Sequence, residues 1–153
     1  MRESKYQLSN WKKWKYKIKL LEETRDELKD MRRAIPIGSE EMPGGSHKSI
    51  INKMSRIVEL CDEYDILIND YKFLVRRLES AIATLDDDKR KVCIIYSNYP
   101  NNSCKREMEA LERGLSRATF YRLLDSVYIE LDELLEINKS NVMTINDYDR
   151  EIY

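Results

Sequence analysis

Apolar residues recur along this chain in steps of three and four, the spacing of one face of an α-helix. The longest run is Met54, Ile57, Cys61, Tyr64, Ile68, Tyr71, Val75, Leu78, Ile82 and Leu85, in which the two step sizes alternate without a break. It predicts a coiled-coil seam on a helix on the order of 45 to 50 Å long. Seams of two-stranded zippers prefer Ile, Val and Leu, so Cys61, Tyr64 and Tyr71 favour an intramolecular hairpin that also dimerises. An earlier stripe, Trp11, Trp14, Ile18, Leu21, Leu28 and Met31, interrupted by Arg25, predicts a first helix over about 8–33. Between the two, Pro36, Gly38, Pro43, Gly44, Gly45 and Ser46 predict a mobile loop over 35–48.

Beyond Leu85 the elements shorten. Asp86, Asp87 and Asp88 suit a helix N-terminus, and Val92, Ile94, Ile95 and Tyr96 follow before the turn formers of 97–103. A helix over about 104–113 stops at Gly114, and another runs from Ser116 to about Ile137 with Phe120, Leu124, Val127, Leu131 and Leu134 inward. The expected fold is all-α: a helical hairpin or oligomerisation arm over 1–84, a compact module over 85–138 and a polar tail over 139–153.

Composition agrees with helices. Of 153 residues 42% are hydrophobic and 36% charged, with four Gly and three Pro, which argues against both a disordered chain and a turn-rich β-sandwich. No apolar run approaches the roughly 20 residues of a membrane span, and the first residues lack an apolar leader, so a cytoplasmic protein without membrane contact is expected. Cys61, Cys93 and Cys104 lack the spacing of a zinc site, and His47 is the single histidine. Pro43-Gly44-Gly45-Ser46 lacks the spacing of a phosphate-binding loop. The expectation is therefore no metal, no cofactor, no catalytic residue and no enzyme activity.

Charge is unevenly placed. Residues 1–20 hold seven lysines and arginines against Glu3 alone, whereas 125–153 hold eight acidic residues against Lys139 and Arg150. Trp11 and Trp14 among the lysines suit either a basic-aromatic binding face or a core stripe with snorkelling lysines, and the core stripe is favoured. Asp62, Glu63, Asp65, Asp70 and Glu79 spread around the long helix, as on a solvated face.

The informative segment is 104–124. Gly114 supplies a left-handed turn residue, Leu115 plugs the angle between two helices, Ser116 caps the second helix, and Ala110 permits close approach. This is the grammar of a helix-turn-helix. With Phe120, Leu124 and Val127 inward, Arg117, Ala118, Tyr121 and Arg122 turn outward from the first two turns of the second helix, which enter the major groove in this motif. Arginine suits bidentate contact with guanine, and the hydroxyls of Ser116, Thr119 and Tyr121 suit phosphates or base edges.

The order of 85–92, Ile95-Tyr96, a turn, Gly114 to Arg122 and a helix through Leu135 resembles the DNA-binding region 4 of sigma factors. More closely, the chain resembles the small ArpU/RinA-like transcriptional regulators of Gram-positive bacteriophages, in layout over 46–137 and in motif over 85–135. The resemblance implies regulation of late phage genes through double-stranded DNA, with Ser116, Arg117, Thr119, Tyr121 and Arg122 as readout positions and Lys105 and Arg106 on phosphates. RNA polymerase and a second copy of the chain are the further partners expected. Glu109 and Arg113 stand where that pattern has aliphatic residues, and Met108 and Leu111 are expected to supply the buried face instead. The competing readings are a protein-interaction module acting on RNA polymerase or a host regulator, and a small-terminase-like DNA packaging protein.

Overall fold

A computed structural model describes the backbone of residues 2–34 and 46–137 and the side chains of 2–34 and 49–136. Five helices make up the described residues: α1 (Glu3–Ala34), α2 (Ser46–Ala83), α3 (Asp87–Asn98), α4 (Ser103–Glu112) and α5 (Arg117–Ile137). No strand occurs among them. Helix α2 starts at Ser46, so 46–48 are helical where a loop was expected. The reason is local, since the glycine pair ends at Gly45 and His47, Lys48 and Ser49 continue a helix at little cost. The rest of that loop and the polar tail lie outside the described residues.

The chain forms two compact units, 1–15 with 73–153 and 16–72, which cut across the boundary expected near residue 84. In the unit of 16–72, Arg25 Nη1 lies 2.9 Å from Asp65 and Lys72 Nζ 2.9 Å from Glu22. Lys17 Nζ donates to the Tyr71 hydroxyl at 3.3 Å and sits over its ring. Lys17 and Glu22 meet Tyr71 and Lys72, whereas Arg25, further along α1, meets Asp65 and Cys61, earlier on α2, so the two segments run antiparallel. Between them Ile57, Cys61, Ile68 and Tyr71 are buried, four positions of the long seam. Asp65 therefore belongs to an ion pair rather than to a uniformly solvated face, and Asp65 holds the Arg25 guanidinium above its usual range. Asp70, by contrast, is pushed up by burial.

The other unit holds the larger core. The seam continues through Val75, Leu78, Ile82 and Leu85, which are buried together with Val92, Cys93, Ile95 and Tyr96 of α3 and Phe120, Leu124, Val127, Leu131 and Leu135 of α5. Leu135 replaces the expected Leu134 because a straight helix drifts against a strict heptad, and the fourth step lengthens to four. The start of α1 is integral here. Ser4 N donates to Asp132 Oδ1 at 3.0 Å and Ser4 Oγ to the Tyr128 carbonyl at 3.2 Å, so a carboxylate of α5 accepts from one of the first N–H groups of α1. Ser9 Oγ meets the Tyr96 hydroxyl at 3.1 Å.

Trp14 is 1% exposed, so the core stripe is what this tryptophan forms. Trp11 is half-buried, its Nε1 donating to Glu79 at 3.3 Å, and Lys15 pairs with the same carboxylate. Arg77 donates to the Leu135 carbonyl near the end of α5, a cation at the negative end of a helix, while burial lowers its pKa. Lys89 pairs with Glu130 between α3 and α5.

Thiol chemistry separates the three cysteines. Cys61 and Cys93 are buried and Cys104 is exposed, and burial pushes the Cys93 thiol up to about 12. With an aromatic disulfide reagent at pH 8, one thiol per native chain is expected to react promptly and the other two only on unfolding. The unfolded Cys93 thiol ionises near 8.5. The native state therefore binds the extra proton above that pH, and the contribution of Cys93 to stability falls as pH rises towards 12. A titration in which all three thiols react at one rate would contradict this burial.

Candidate functional site

The connection between α4 and α5 is closed by hydrogen bonds at both ends. Gly114 has φ +83°, and its N–H donates to the Leu111 carbonyl at 3.0 Å while Leu115 N–H reaches back to the Ala110 carbonyl at 2.8 Å. That pair of bonds is a Schellman ending. Ser116 begins α5 at once: its Oγ accepts from Thr119 N–H at 3.2 Å and donates to Thr119 Oγ1 at 2.8 Å. Buried Leu115 and Phe120 flank the cap at the two positions of a hydrophobic staple. A Cβ at Gly114 would meet no atom within 4 Å, so only its backbone resists substitution. Gly114→Ala is expected to cost about 1–2 kcal/mol from left-handed strain alone, seen as a lower urea midpoint with an unchanged slope.

This turn fixes which residues α5 displays. Arg117, Ala118 and Arg122 are exposed, Thr119 and Tyr121 half-buried. The Ser116 hydroxyl is committed to the cap, whereas Thr119 Oγ1 accepts from Ser116 and keeps its own proton to donate. Tyr121 is the hub of an internal relay. Its hydroxyl donates to Glu107 Oε1 at 2.9 Å and accepts from Arg106 Nη2 at 3.3 Å. The same Glu107 oxygen lies 3.2 Å from Arg117 Nε.

Arg106 faces inward. Its Nη1 donates to the carbonyls of Tyr99 at 2.8 Å and Pro100 at 3.1 Å, and its guanidinium carbon lies 5.4 Å and 5.8 Å from the ring centroids of Tyr96 and Tyr121. It ties the α3–α4 connection to α5, which suits a scaffold better than a phosphate contact. Lys105 is exposed at the start of α4, where Asn102 Oδ1 accepts from Lys105 N–H at 3.1 Å. Lys105 also lines an open groove of about 390 Å³ with Lys12, Asn98, Tyr99, Met108, Glu109 and Glu112.

No family model, curated protein or solved structure matches this chain. Met108 and Leu111 do not supply the buried face of α4: they are 59% and 65% exposed, and Ala110 alone on that helix is buried. Helix α4 packs with small Ala110 inward, close to the Gly114 turn, and this rotation leaves Met108 and Leu111 outside. The sequence pattern did not single out Glu107, because its contacts with Tyr121 and Arg117 exist only through the docking of α4 on α5.

Among the described residues no group of His, Cys, Asp and Glu is placed to hold a metal ion, and no helix is long and apolar enough to cross a membrane. Five basic and three acidic residues lie between Ser103 and Arg122, a modest local excess of positive charge in a chain of net charge −1.

Proposed function

We propose that the chain is a sequence-specific regulator of transcription that binds double-stranded DNA, of the ArpU/RinA-like kind acting on phage or prophage late genes. In this reading α4, the Gly114 turn and α5 are a helix-turn-helix, with the first turns of α5 in the major groove. The observation that carries it is the doubly closed turn, which presents Arg117, Ala118 and Arg122 together from the start of a capped helix. Arg117 and Arg122 read base edges, Thr119 offers a hydroxyl, and Lys105 meets backbone phosphate. Ser116, Tyr121 and Arg106 hold the frame. The α1–α2 hairpin serves dimerisation or polymerase contact. A dimer doubles the phosphate contacts, which matters for a chain with pI about 6.0 that gains little from non-specific attraction.

The test is a mobility shift with fragments of the DNA flanking the protein's own coding region, at two salt concentrations. A shift that survives the higher salt supports a specific regulator, and no shift at either salt overturns it.

One observation favours a second reading. Met108 and Leu111 place apolar surface on the outside of α4, as a module binding RNA polymerase or a host regulator through protein contacts would. Co-elution with purified RNA polymerase, together with no DNA shift, would establish that reading in place of the first.

A further inference from the structure

We infer that Glu107 is a positioning residue that makes Arg117 selective for guanine. The inference deepens the DNA-binding reading and rests on it. An exposed arginine on a helix surface samples many rotamers, and its guanidinium offers guanine two different pairs of N–H donors, the end-on Nη1/Nη2 fork and the side-on edge that includes Nε. Bidentate contact with guanine O6 and N7 requires one pair, correctly aimed. Arg117 is 76% exposed at its side chain, yet its Nε lies 3.2 Å from Glu107 Oε1. That ion pair lies on the Nε side of the guanidinium, away from the end-on fork.

Glu107 is itself held. Its side chain is 27% exposed, and the Oε1 that faces Arg117 also accepts from the Tyr121 hydroxyl at 2.9 Å. Tyr121 accepts from Arg106, which is anchored on the Tyr99 and Pro100 carbonyls. A continuous chain of polar contacts thus runs from the α3–α4 connection to the exposed guanidinium. Arg117 is oriented by the fold rather than by the DNA, so less of its freedom is lost on binding. The carboxylate also places negative charge beside the reading face, where it repels phosphate in mismatched complexes and penalises binding without the guanine contact.

The experiment compares wild type, Arg117→Ala, Glu107→Ala and Glu107→Gln by selection from a randomised DNA duplex library, followed by titration of the selected duplex and its single guanine-to-adenine variants. Wild type is expected to select a guanine whose replacement weakens binding at least tenfold, and Arg117→Ala to lose that preference. Glu107→Ala is expected to lose most of the same preference while binding an unrelated duplex as tightly as wild type or more tightly. Glu107→Gln is expected to recover much of it. Both neighbours of Oε1 are donors, so the amide oxygen faces them and the acceptor survives without the charge. A residue with a merely structural role would weaken all duplexes alike and would not separate the two Glu107 variants.

Selection of the same guanine at undiminished strength by Glu107→Ala would overturn the inference and leave the DNA-binding reading standing. Undiminished preference of Arg117→Ala for that same guanine would overturn it too. Failure of the wild type to select any sequence would remove the DNA-binding reading and the inference with it.

Discussion

Replacing Arg117 and Arg122 together by alanine is expected to lower affinity for the cognate duplex by about thirtyfold or more while leaving the helical spectrum and melting temperature close to wild type. Both side chains are exposed on the first two turns of α5 and neither contributes to the core, so truncation removes little packing. Each well-made bidentate contact discriminates by about 1–3 kcal/mol. Two of them lost together amount to roughly 2–6 kcal/mol, and the lower end of that range is already about thirtyfold at 25 °C. Affinity for unrelated duplex is expected to fall far less, because Lys105 remains and the removed charges number only two. Equilibrium titration of cognate and unrelated duplexes at fixed salt checks both statements. Equal losses on the two duplexes would show that the arginines serve only as charges.

Trp14→Ala is expected to cost about 3–5 kcal/mol, the usual range for emptying a buried aromatic site. A tryptophan that is 1% exposed leaves a cavity its neighbours fill only in part, and Tyr6 loses an edge-on ring partner at 6.2 Å. For a chain of this size the loss corresponds to a fall in melting temperature of roughly 6–20 °C. DNA affinity below that temperature is expected to hold. A loss of affinity without a loss of stability would mean that the tryptophan contacts the ligand and is not a core residue.

The same packing explains why a fragment of residues 85–138 is expected to fold poorly. The compact unit that contains α3, α4 and α5 also takes in residues 1–15 and 73–84, where Leu8, Trp14, Leu78 and Ile82 are buried. A fragment starting at residue 85 leaves the apolar faces that face outward from such a cut in water. Dye binding to exposed apolar surface, compared between the fragment and the whole chain, measures this directly.

Local rules made the helices legible. The alternating steps from Met54 to Ile82 named a buried stripe of α2, with Met54 and Tyr64 left half-buried, because side chains at those spacings share one stripe whatever packs on it. Gly114 and Ser116 announced the turn, since a positive φ and a capping hydroxyl are needs of the backbone within a few residues. The division into an arm and a module was not legible in the same way. Whether α1 starts in one unit or the other depends on Ser4 meeting Asp132, a contact between residues far apart in the chain, and no periodicity encodes it.

The site divides along the same line. From the residues alone, the outward arginines of α5 follow from the inward Phe120 and Leu124, because one helix has one inside. The roles of Arg106, Glu107 and Tyr121 could not follow, because each depends on how α4 is rotated against α5. Helical spacing allows Met108 and Leu111 to be buried, but α4 docks with Ala110 inward and leaves them outside. The sequence by itself determined the helices, the capped turn at Gly114 and Ser116 and the display of Arg117 and Arg122, all of them short-range consequences of periodicity and capping. Only the tertiary structure decided that Arg106 points inward and that Glu107 holds Arg117, because those contacts exist only once α4 has docked on α5.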